Sequence, residues 1–189
     1  MNNSRKKARE LVKDVWNKIY AERYPDVHLW FTKQSVGFSL FLYRKVILIE
    51  DEHVEKILSS VPFEFAEDIV THSLGHELTH MNDKDFWTTG FPVTKRLKML
   101  AKINEVHADY GGALLGKITY KDFVKIVAYK MNVSKFPSKV YCTHPSWVQR
   151  KKYASYGRYD DDLVRIICDD YKYNNPEEFY NLYERIDLE

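Results

Sequence analysis

The sequence predicts an α+β fold, mainly helical with one small sheet. Three observations predict it. Apolar residues recur at three- and four-residue spacing along most of the chain, as one buried face of a helix requires. Residues 36–50 change to a period of two: Phe38, Leu40 and Leu42 alternate with Ser39 and Phe41, and Val46 to Ile49 are β-branched or Leu. No internal repeat or low-complexity linker divides the 189 residues, which are therefore read as one domain.

The elements follow in order. Residues 5–24 read as a helix carrying Leu11, Val15, Trp16 and Ile19, with Pro25 ending it. Residues 36–50 read as two strands joined near Arg44 and Lys45, and the sequence turns helical again from 51. The segment 62–82 starts with Pro62 in a favourable first-turn position and places Phe65, Ile69 and Leu74 on an apolar side. Gly90, Phe91 and Pro92 mark 83–93 as a loop. A long helix spans 94–115 and stops near Gly116; another spans 119–132 with Tyr120, Phe123, Ile126, Val127 and Lys130. Residues 133–144 are irregular. Helices then occupy 145–156, 160–172 and 176–186, with Asp160 and Asn175 as N-caps and Pro176 in a first turn. The core motifs lie within 36–156, and 157–189 is a C-terminal helical extension.

Composition excludes several classes of function. Hydrophobic residues are 44% and charged residues 30%, which is a globular balance and not a disordered one. With 29 Lys+Arg against 27 Asp+Glu, charge gives no argument for a nucleic-acid or membrane partner. No apolar run approaches the roughly 20 residues of a membrane span. The N-terminal MNNSRKKARELVKD lacks the apolar segment of a secretory signal. Two cysteines, Cys142 and Cys168, exclude a disulfide scaffold and a four-cysteine zinc site. They are read as free thiols in a cytoplasmic protein, with a single bridge as the alternative.

The informative string is His76-Glu77-Leu78-Thr79-His80. Residues four apart share a helix face, so both imidazoles can reach one metal ion at about 2.0–2.1 Å. Glu77 projects beside the metal, where it can take a proton from water. A catalytic zinc needs a third protein ligand and an open position. Glu105 on the next helix can supply that ligand, giving one Zn²⁺ per chain. Asp109 lies four residues on, on the same face, and can accept a hydrogen bond from the free ring nitrogen of His76 or His80. Ala108, Gly111 and Gly112 let the two helices approach closely.

HELTH followed by E-x-x-A-D at 105–109 resembles the gluzincin clan of zinc metallopeptidases. Thr143-His144-Pro145-Ser146 with Arg150 is similar to the T-H-P-S-x-x-x-R segment of HtpX-type and CaaX prenyl-protease peptidases and their soluble minigluzincin relatives. The resemblance implies a zincin-like fold, a zinc-dependent endopeptidase, ligands His76, His80 and Glu105, Glu77 as general base, and His144 near the reacting carbonyl as an oxyanion donor. Arg150 would pair with a carboxylate such as Asp109. A peptide or protein is the implied substrate, and no nucleic acid is expected. Three departures stand out: Thr79 replaces a frequent Gly, the membrane segments of HtpX-type enzymes are missing, and residues before 36 and after 156 match nothing in the family. An edge strand above the active-site helix would pair with an extended substrate; VILIE at 46–50 is its candidate, against an ordinary core strand.

Other residues have plainer readings. His72 is read as lying behind the ligands or at the surface, His107 as packed or at the surface and turned away from Glu105, and His28 and His53 as solvated. Tyr141, Tyr153, Tyr156 and Tyr159 are read as packing residues, with one phenol aiding an oxyanion as the alternative. Cys142 could instead be a thiolate latch on the metal. Two alternatives to the peptidase remain. An ImmA/IrrE-like repressor protease also carries HExxH, a downstream glutamate and a pair such as Leu114-Leu115. A non-catalytic scaffold would show a closed site with four protein ligands, Cys142 for instance completing it.

Overall fold

In the computed structural model, residues 3–34, 37–41, 44–84, 94–141 and 143–189 are described. Most of the loop read over 83–93, together with Leu42 and Cys142, lies outside them. Helix α1 (Asn3–Val15) forms where Ala8, Leu11, Val12 and Val15 recur at helical spacing and turn into the core. It continues as one π-helical turn, Trp16–Tyr20, and stops there, short of Pro25. The Tyr20 hydroxyl donates to the Thr71 carbonyl at 2.8 Å.

The sheet has three strands, β1 (His28–Thr32), β2 (Phe38–Phe41) and β3 (Val46–Glu50), in the order β1-β3-β2. β1 runs parallel to β3, and β2 runs antiparallel to it. The register puts Leu29, Phe31, Ile47, Ile49, Phe38 and Leu40 on one face, which packs on the helices. β1 is unforeseen because its alternation is hidden: Trp30 is apolar yet points outward, 62% exposed. The order also corrects the placing of the edge. VILIE is the central strand, with Ile47 and Ile49 fully buried, and the edge over the site is β2.

Helix α2 (Asp51–Ser60) starts on buried Asp51, which accepts from Arg9 Nε at 2.6 Å and Arg9 Nη2 at 2.5 Å and so ties α2 to α1. Two long helices follow, α3 (Phe63–Asp83) and α4 (Lys95–Leu115). Pro62 is the residue before α3, not its first turn. At the other end Lys84 takes a left-handed conformation with its N–H on the His80 and Met81 carbonyls. Both helices are buried on nearly every side; Ile69, Leu74, Leu78, Ile103 and Tyr110 are fully covered. They meet at glycines. A Cβ on Gly112 would stand 2.8 Å from both the His72 carbonyl oxygen and the His76 nitrogen. A Cβ on Gly111 would stand 2.5 Å from Thr79 Cγ2. Thr79 thus keeps its methyl because Gly111 opposite it has none.

Helix α5 (Tyr120–Val133) is capped by Thr119, and α6 (Trp147–Ala154) by a reciprocal Ser146–Gln149 capping box. Strand β4 (Arg158–Tyr159) leads into α7 (Asp161–Asp170), whose N-cap is Asp160 as expected. The helix expected over 176–186 does not form. A single 3₁₀ turn, Pro176–Phe179, precedes strand β5 (Ile186–Asp187), which pairs antiparallel with β4. The Asn175 side chain does not cap this turn; it donates to Glu178 instead. Phe179 and Ile186 are buried, so the tail closes part of the core.

Candidate metal centre

The site is built by the last turns of α3 facing the middle of α4, with the segment before α6 laid across them. His76, His80 and Glu105 each offer a ligand atom, and these atoms lie within 4.8 Å of one another. His76 Nε2 is 3.2 Å from His80 Nε2 and 3.6 Å from Glu105 Oε2, and His80 Nε2 is 3.5 Å from Glu105 Oε1. This group could hold a metal ion.

The groups behind it fix the ligands. His76 Nδ1 donates to Asp109 Oδ1 at 3.2 Å, which leaves the Nε2 lone pair turned toward Glu105. Asp109 also accepts from Arg150, through Nε at 2.7 Å and through Nη2. The expected Asp109–Arg150 pair is therefore present, and it is buried. Burial alone would raise the Asp109 carboxyl; the Arg150 charge and the His76 ring outweigh it and hold the group well below the usual carboxylate range. Glu105 behaves alike: burial opposes its charge, but the His76, His80 and His144 rings keep it well below that range.

His72 is fully buried, not at the surface. Its ring stacks on Phe123, its Nε2 donates to the Asp109 carbonyl at 3.1 Å, and its Nδ1 accepts from Lys130 Nζ at 3.1 Å. Burial and the Lys130 charge keep this imidazole neutral, far below its usual range. His107 is packed: its Nδ1 lies 2.8 Å from Asp83 Oδ2 and its ring stacks on Tyr183. His28 is exposed, but His53 is not solvated as expected; it is half-buried, with Phe38 edge-on to its ring. Tyr153 and Tyr159 are buried packing residues, whereas Tyr141 and Tyr156 are exposed. Cys168 is a buried free thiol.

His144 enters the site from the side. Its Nε2 stands 3.2 Å from Glu105 Oε1, and its Nδ1 stands 2.6 Å from the Thr143 hydroxyl. With the hydroxyl donating to Nδ1, the Nε2 carries the proton and faces the centre. The ring is half exposed, and its partial desolvation lowers its pKa, with the Glu105 charge opposing. Glu77 is half-buried beside the ligands and makes no hydrogen bond or ion pair among the described residues.

A cleft runs past these groups, floored by α3 and roofed by β2. One lobe, of about 370 Å³, holds Glu77, His144 and Trp147 among its walls; the other, of about 210 Å³, adds Ser39, Leu40 and His80. Phe38, His76, Glu77, Glu105 and His144 border both. The larger lobe also contains Lys130, which sequence reasoning left without a role. The signal was present: Lys130 continues the buried stripe of Phe123, Ile126 and Val127 on α5. Burial draws its ammonium down to about 8, with Asp109, Glu77 and Glu105 opposing and Arg150 adding to the fall. No described helix is long and apolar enough to cross a membrane. No family model, no curated protein and no solved structure matches this chain.

Proposed function

We propose that this chain is a zinc-dependent endopeptidase of the gluzincin type, with a zincin-like fold. The observation that carries the reading is the conjunction of His76, His80 and Glu105 with a Glu77 that has no hydrogen bond or ion pair among the described residues, in a cleft beneath the edge strand β2. The donors suit zinc. Two tetrahedral ligands at about 2.0–2.1 Å from one ion stand about 3.3–3.4 Å apart; His76 Nε2 and His80 Nε2 are 3.2 Å apart, and Glu105 brings Oε2 to 3.6 Å from the first and Oε1 to 3.5 Å from the second. Two imidazoles and one carboxylate leave a fourth position open for catalysis. Zinc supplies Lewis acidity, which polarises a peptide carbonyl and makes water a better acid.

The chain's own residues do the rest. Glu77 takes the proton from the attacking water and returns it to the leaving amine. His144 directs its Nε2–H at the oxygen on which charge develops. Asp109 holds the His76 tautomer, and Arg150 keeps Asp109 ionised. β2 is hydrogen-bonded to β3 on one side, so its other edge can pair with an extended peptide.

Glu77→Gln tests the reading. The variant should retain zinc and lose at least 100-fold in kcat on a peptide library, about what a general base contributes. Cleavage at the parent rate would remove Glu77 from the mechanism.

A further inference from the structure

Lys130 has no place in the chemistry above, yet it lines the larger lobe, which Glu77 also borders. It carries three N–H donors. One goes to His72 Nδ1 at 3.1 Å, a nitrogen that must accept because His72 Nε2 donates to the Asp109 carbonyl. The other two make no hydrogen bond or ion pair among the described residues. Phe38, Ile57, Ile69, Tyr129, Val133 and Trp147 form the apolar part of the lobe's walls. The other charges of the lobe are accounted for. Arg150 is bound to Asp109, Glu105 belongs to the ligand set, Glu77 is the base, and Lys56 is exposed to solvent. What remains inside the lobe is the Lys130 ammonium with two donors unused among the described residues, which a carboxylate complements more strongly than an amide and an alkyl group does not.

Direction follows from the strand. β2 runs from Phe38, which borders the Lys130 lobe, to Ser39 and Leu40, which border the other. A peptide paired antiparallel to β2, the more stable ladder, runs the opposite way. Residues before the cleaved bond then lie along Leu40 and Ser39, and the residue after it drops into the lobe of Lys130.

We propose that Lys130 determines specificity by binding the side-chain carboxylate of a Glu or Asp that directly follows the cleaved bond. This rests on the peptidase reading. The experiment is kcat/KM for zinc-loaded full-length protein on peptides that differ solely at that residue, as Glu, Gln, Leu or Lys. The parent should favour Glu over Gln by about 10- to 100-fold, the worth of one charged hydrogen bond. Lys130→Gln, which keeps a donor for His72, should bring the ratio to within about threefold of one. Lys130→Glu should turn the preference toward Lys. Zinc content and the thermal midpoint of each variant separate loss of recognition from loss of fold, and Lys130→Arg should restore the acidic preference if Lys130→Gln folds poorly. Equal rates for Glu and Gln in the parent, or a Glu preference that survives in Lys130→Gln, would overturn the assignment while leaving the peptidase standing. A parent that cleaves none of these peptides and no library would overturn the peptidase and this inference together.

Discussion

Asp109 meets three tasks: its carboxylate receives the His76 ring and balances buried Arg150, and its backbone carbonyl receives His72. The acidic character of the side chain matters more than its shape. Asp109→Asn keeps the volume but offers an amide that cannot balance Arg150 or accept at both positions. Zinc affinity should fall by about 10- to 100-fold, the usual effect of losing such a partner, as measured by competition with a chelating dye. At this scale the sequence was informative where spacing encodes geometry. The four-residue interval fixes His76 against His80 and Glu105 against Asp109, whatever surrounds them. It was uninformative where the partner comes from far along the chain. Lys130 meets His72 across 58 positions, and His107 meets Tyr183 on a tail expected to be helical. Nothing local announces such pairs.

Between elements, the α3–α4 contact decides whether the ligands converge. Gly112 sits against the backbone of α3 at the turn that carries His76, and backbone cannot yield as a flexible side chain can. Gly112→Ala should destabilise by about 1–3 kcal/mol, an overpacking cost, and should weaken zinc binding because it moves His76 away from Glu105. Urea unfolding and zinc titration of the one variant check both; parent-like values in each would mean the helices do not meet this closely. The glycines and Ala108 made this approach legible beforehand, as did the turn residues that divide 51–172 into helices. Three features were not legible. β1 was hidden by outward Trp30. The central place of β3 depends on β1, so without β1 the choice between an edge and a core reading of VILIE stayed open. The expected last helix, 176–186, yields to a strand because Ile186 completes a pairing with Tyr159, a tertiary gain that helical spacing cannot report.

Across the whole molecule, the arrangement is a frame for two buried helices. The sheet lies along α3 and supplies the roof strand; α5 brings Lys130 beneath it; the segment before α6 brings His144; and the tail seals the far side of α4. Buried Glu105, Asp109 and Arg150 are costly to place in a core, and two carboxylates against one guanidinium leave negative charge there. A bound cation would offset that charge. Metal content therefore tests the account most directly. The chain would be purified without chelator or histidine tag, equilibrated with zinc, desalted and analysed by elemental mass spectrometry beside His80→Ala. The account predicts about one zinc per parent chain and none retained by the variant. A parent that retains no zinc after equilibration, or a variant that retains as much as the parent, would contradict it.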